Sequence, residues 1–441
     1  MQFRDFSPTQ TPTLAEQRDA LRKGLGRARL WARAGQLADE PLCEACITDF
    51  RYDHSIDDIR GQWLWGLLQD TGFQDRLQEP IFQEFCHWSD ERSASQLCQL
   101  ALHYAKIGDQ RFLGRIYEIV EQKPQSDCPY LAEAELMALD GASGFLFAAS
   151  VRGQRLPLEK WDYQHDQLLR LAFDLAGEPQ IVELLENQSD PAIVRFRDEW
   201  KANQQEKEQH AKREVASYEA KMRSVTLAEL LVDAAHRERS PLCMGWGRYA
   251  AKQDLEAVLS HLQQAEEPRE IANLLRVFTR RDPPHIDDRL FELCHHPDEW
   301  VRSRAFQALS HRADPRIREF ALQELEQPAC DDNVVELFVK NYQIGDVDRI
   351  LQRVRLPDDL DEKHGLLSSL VDLLSEAKPV DGAPLAQIVY FETPCCYCRR
   401  SSVRYLQEMN LVPPWMREEC LHDCEAETRA LWSPKLPTLS D

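Results

Sequence analysis

Glycine is scarce in this chain, at 17 of 441 residues, and segments that alternate apolar with polar residues are few. Sheet proteins depend on both, so the sequence argues against a β fold. No run of about 18 apolar residues occurs, which predicts that no helix crosses a membrane. The opening MQFRDFSPTQTPTL has no apolar core of the kind that directs export, and the expected location is the cytoplasm. Basic residues are outnumbered, 53 against 75 acidic, for a net charge of −22. Such a surface repels nucleic-acid phosphates and anionic lipid, so nucleic acid is a disfavoured partner and a membrane none. P-loop, dinucleotide glycine motif, G-x-S-x-G and H-E-x-x-H are all missing. The common enzyme classes are thereby set aside, and no residue is assigned a catalytic role.

What is present points to helices. Hydrophobic residues make up 43% of the chain and charged residues 29%, enough for a large core beneath much exposed helix surface. Thr13-x-x-Glu16 and Thr226-x-x-Glu229 are capping boxes, in which hydroxyl and carboxylate satisfy the free amides of a helix start. Apolar residues three and four apart predict helices over about 56–69 (Ile56, Ile59, Trp63, Leu67), 91–107 and 110–122. Turn residues at Gly108-Asp109 and Lys123-Pro124 join these into antiparallel helix pairs. The stretch 197–223 is rich in Glu, Lys and Gln, without Gly or Pro, and reads as a solvated connecting helix with a thin stripe of Val215, Tyr218 and Met222. The expected organisation is a helical N-terminal domain over 1–196, a charged connecting helix over 197–224, and a repeat domain over 225–441 with a Cys-rich C-terminal cap.

The second half repeats itself. Asp298-x-x-Val301-Arg302-x-x-Ala305 returns sixteen positions later as Asp314-x-x-Ile317-Arg318-x-x-Ala321. The aspartates sit where helix caps are wanted. Val301, Ala305 and Leu309 would form a buried stripe. Arg302 and Arg318 are placed to reach a neighbouring cap. A helix that cannot bury its stripe alone is repeated, so that each copy covers the next.

These phrases resemble HEAT-like (armadillo-type) repeats, with their Asp…Val-Arg…Ala…Ala-Leu pattern. The resemblance is best over 266–326 and extends towards 432, where EAETRALW (425–432) echoes it; before 196 only DPAIVRF (190–196) does. The period here is one helix, whereas a HEAT unit is a helix pair of about 40 residues. The resemblance implies an all-α fold with an α-solenoid in the C-terminal half, and a non-catalytic scaffold or adaptor that binds a protein partner through a curved acidic surface. Some HEAT-like proteins act on DNA bases and some are bilin lyases, but no residue here matches their catalytic motifs.

Several groups of residues are candidates for binding. Cys395-x2-Cys398 and Cys420-x3-Cys424 could clasp a structural zinc ion, with Cys396 and His422 as spare donors; the alternatives are that these cysteines are core residues or a redox pair. On an unbroken first helix, Arg18, Arg22, Arg29 and Arg33 fall within about 60° of one another. That stripe would seat phosphates, and it underlies the alternative of nucleic-acid binding or base modification. Trp246, between two glycines, and Trp300 are candidate binding-surface aromatics. The segment 48–65 packs Asp49, Asp53, Asp57 and Asp58 beside His54, Arg51 and Arg60, a set suited to acid–base work, to holding a cation, or to helix capping and salt bridging.

Overall fold

A computed structural model describes residues 11–54, 56–88, 91–122, 131–156, 161–327 and 331–432, except for the side chains of Glu91, Tyr163 and 205–217. The turn expected at Lys123-Pro124 and the Val215 side chain lie outside the described residues. Among the described residues the chain is helical, with no strand. Both capping boxes form: Thr13 with Glu16 opens Leu14–Lys23, and Thr226 with Glu229 opens Leu227–His236.

The chain divides into two compact units. One is built on Lys212–Pro413; the other gathers Ser7–Ala211 with Pro414–Asp441. The division at 211/212 falls within the helix Pro191–Ser224, upstream of the boundary near 225 that composition suggested. The tail after Pro413, expected as a cap on the repeats, belongs instead with the N-terminal residues.

Six helices of the Lys212–Pro413 unit form a row in which each packs on the next. They are Leu227–His236, Pro268–Leu275, Glu299–Ser310, the 3-10 helix Asp332–Phe338, Leu360–Glu376 and Cys396–Glu408. Further helices such as Asp288–Leu293, Pro315–Leu325 and Ala383–Glu392 pack against this row. Asp298 accepts from Val301 N at 3.1 Å, and Asp314 from Arg316 N at 2.9 Å. Val301, Ala305, Leu309, Ile317 and Ala321 are fully buried. The two arginines reach later helix starts: Arg302 lies 3.2 Å from Asp331, which caps Asp332–Phe338, and Arg318 lies 2.6 Å from Asp346, which opens Asp346–Arg353.

A second link between successive turns is not visible in the repeated phrase. Asn273 donates to Ala234 O and Arg237 O and accepts from Ser240 N. Asn341 donates to Arg312 O and Leu337 O and accepts from Asp314 N. In both places one amide joins backbone at the end of one helix to the cap of the following Pro-initiated helix. Replacing Asn273, which is fully buried, by Leu strands two carbonyls and one amide. The expected cost is about 2–4 kcal/mol, read as a lower urea midpoint.

The other unit is centred on an aromatic stack. Tyr104 lies parallel to Phe112 with ring centroids 4.7 Å apart, Phe85 lies 5.9 Å from Phe112, and the Tyr104 hydroxyl donates to Gln74 O. The helix Glu133–Arg155 is long and apolar enough to pass as a membrane span, with mean hydropathy 1.3 over its best window. Its backbone breaks at Gly141 (φ 53°, ψ −124°), and its ends are tied by a buried Arg152–Glu133 pair at 2.7 Å. Leu136, Met137, Phe145, Ala148 and Ala149 along it are buried. The helix expected from residue 56 starts only at Gly61. The loop before it is held by Arg51, which grips Asp49 and the carbonyl of Asp57, so Ile56 and Ile59 stand exposed instead of joining the stripe of Trp63 and Leu67.

The tail is fastened to this unit by side chains and backbone alike. Arg27 makes a two-pronged pair with Glu419, at 2.8 and 3.0 Å. Trp63 Nε1 donates to His422 O, and Cys424 N donates to Gly24 O.

Candidate metal centre

The four cysteines of the expected zinc set are divided between the two units. Cys395 and Cys398 belong to the Lys212–Pro413 unit and Cys420 and Cys424 to the other. The chain passes from one unit to the other between the two pairs, so each pair folds among different neighbours. Cys420 is fully buried, and Cys424 packs so tightly on Gly24 that a Cβ there would lie 2.1 Å from its sulfur. His422 receives a hydrogen bond from Arg33 at 3.2 Å.

A different donor set forms around the first pair. His364, Cys395 and Cys398 bring their ligating atoms within 4.8 Å of one another. His364 stands on Leu360–Glu376, which packs on Cys396–Glu408, the helix that Cys395 opens and Cys398 joins. The C-x-x-C spacing places both sulfurs on the first turn. The Cys395 amide donates to the hydroxyl of the fully buried Thr393, which fixes the entry to that turn. His364 Nε2 and Cys398 Sγ are 3.5 Å apart. A tetrahedral zinc ion with bonds of about 2.3 Å to sulfur and 2.0–2.1 Å to nitrogen would set them roughly 3.6 Å apart. Both cysteines are 3% exposed. The Cys395 thiol beside it, together with burial, pushes the Cys398 thiol well above its ordinary range, and a divalent cation would reverse that preference. Cys396 is buried but outside the donor group. The sequence held a clue to His364 only in its being a histidine 31 residues before the cysteine pair; nothing local marked it as a ligand.

The cationic stripe is broken. Gly24 ends the first helix in a left-handed conformation (φ 70°), so Arg18 and Arg22 lie on Leu14–Lys23, and Arg29 and Arg33 on Arg27–Arg33. The charges meet the protein's own carboxylates: Arg18 pairs with Glu40 and Glu44, while Arg29 and Arg33 share Asp70. Arg22 lies over the Phe50 ring at 5.7 Å. Trp246 is not a surface anchor. It is 3% exposed and its indole N–H donates to Val225 O, because its short helix turns the ring into the core. Trp300 remains half-exposed, with the Arg239 guanidinium 5.6 Å above its ring. In the loop before Gly61, Asp49 is taken by Arg51 at 2.6 Å, and Asp57 lies 3.8 Å from Arg60.

No family model, curated protein or solved structure matches the chain.

Proposed function

We propose that Lys212–Pro413 is an interaction scaffold of the HEAT-like kind, that it holds zinc on His364, Cys395 and Cys398, and that its partner is a protein with a basic segment. The observation that carries the reading is the row of helices, each packed on its successor. Thiolate and imidazole donors favour zinc over magnesium or calcium. Three protein donors leave the fourth position to water or to a side chain of the partner.

The partner's charge follows from crowding on two adjacent helices of the row. Burial and the nearby Asp372 carboxylate push Glu336 up to about 7, and burial with Asp331 pushes Asp332 up to about 6. Carboxylates in this state gain when a cation approaches. Trp300, on the preceding helix of the row, is half-exposed and offers an aromatic surface.

The reading is tested by fluorescence anisotropy with a labelled arginine-rich peptide. Binding should weaken about tenfold between 50 and 300 mM salt, and about tenfold in a Glu336→Gln, Asp372→Asn double variant. It should strengthen from pH 6 to 8 as Glu336 gives up its proton. A response flat to salt, pH and substitution would remove the acidic face as the binding surface.

A further inference from the structure

The Ser7–Ala211 unit with its tail contains a cavity of about 1140 Å³, walled by the helices Arg27–Arg33, Gly61–Thr71 and Ala94–Lys106, by Arg51, His54 and 56–59, and by the tail near Arg429. Its distinguishing property is a surplus of hydrogen-bond donors. Arg29 spends its Nε on Asp70 and leaves both terminal nitrogens without an acceptor among the described residues. Gly66 makes room for them: a Cβ there would come within 3.3 Å of the Arg29 NH2 group. Arg429 commits NH1 to the carbonyls of Asp423 and Cys424, and its Nε and NH2 have no acceptor among the described residues. His54 Nδ1 lies 3.1 Å from the Arg51 NH2 group, with Asp49 farther off at 3.4 Å. A guanidinium can only donate, so Nδ1 accepts and Nε2 carries the proton. That Nε2 is buried and has no partner among the described residues. A buried N–H without an acceptor is costly, and a ligand oxygen would relieve it.

We propose that this cavity binds a hydroxyl-bearing organic phosphate monoester, its phosphate held by Arg29, Arg429 and His54. A carboxylate has two oxygens and fills one guanidinium fork; the three free oxygens of a phosphate monoester can occupy two forks and an imidazole N–H together. Phosphate alone would leave most of this volume empty. Ile56 and Ile59, 56% and 39% exposed at the wall, supply apolar cover for an organic group. Asp58, also in the wall, is suited to accept from a hydroxyl. The net charge of −22 opposes anions at a distance, so affinity comes from direct donor contacts inside the cavity.

Isothermal titration of the full chain with adenosine 5′-monophosphate, adenosine and inorganic phosphate tests the assignment. The monophosphate should bind at least about tenfold more tightly than either fragment. Arg29→Lys keeps the charge facing Asp70 but removes the fork, and should weaken the monophosphate about tenfold without changing the melting temperature. Arg429→Met should do the same to affinity. Adenosine binding as tightly as its monophosphate, unchanged affinity in both variants, or no heat from monophosphate or phosphate at about 10 mM would each overturn the proposal.

Discussion

Serine at both Cys395 and Cys398 is expected to abolish zinc binding and to lower the stability of the Lys212–Pro413 unit. Metal analysis of the purified wild-type chain should find about one zinc per molecule, and the double variant about none. A zinc ion held by His364 on one helix and two sulfurs at the start of its neighbour would tie together positions 34 residues apart. The size of the effect follows from linkage. Free zinc at about a thousand times its dissociation constant adds about 4 kcal/mol, or roughly 8–16 °C in melting temperature for a unit of this size. A chelator should reproduce the loss in the wild type and do nothing to the variant. Both thiols must lose their protons to bind, so zinc affinity should fall as pH is lowered. His364→Ala keeps both sulfurs and should weaken zinc rather than abolish it. A wild-type chain that takes up no added zinc would end the assignment.

Glu419→Ala should destabilise the other unit by about 3–5 kcal/mol, measured by urea unfolding. Glu419 is fully buried and holds Arg27 through two hydrogen bonds, and Arg27 is 9% exposed. Removing the carboxylate leaves a guanidinium in low dielectric without its counter-charge. The comparison that isolates this cause is the double replacement Arg27→Met with Glu419→Leu. It removes both charges at similar volume and should recover most of the lost stability. If the single and double variants are equally unstable, tight packing rather than stranded charge is the reason. Deleting the chain after Pro413 should be at least as damaging, because it also removes the carbonyl bonded to Trp63 and the amide bonded to Gly24.

Local chemistry was legible in the sequence where cause and effect lie within a turn or two of helix. The all-α class, the capping boxes at Thr13 and Thr226, the caps at Asp298 and Asp314, and the buried stripe of Val301, Ala305 and Leu309 all follow from spacing that a helix enforces. That Arg302 and Arg318 reach a later cap was legible too, but not the span: their partners lie 29 and 28 residues on, past the next helix.

Tertiary structure alone decided which distant segments share a unit. Cys395 and Cys420 are 25 residues apart and look like one motif, yet the chain changes unit between them. His364 becomes a partner for Cys398 only because two helices of the row pack side by side. Gly24 divides what periodicity reads as one cationic helix, since its neighbour Cys424 leaves no space for a side chain. Helix periodicity is a short-range signal carried by backbone geometry. Contacts across hundreds of residues, such as Arg27 with Glu419, depend on how whole surfaces fit, and no local pattern records that fit.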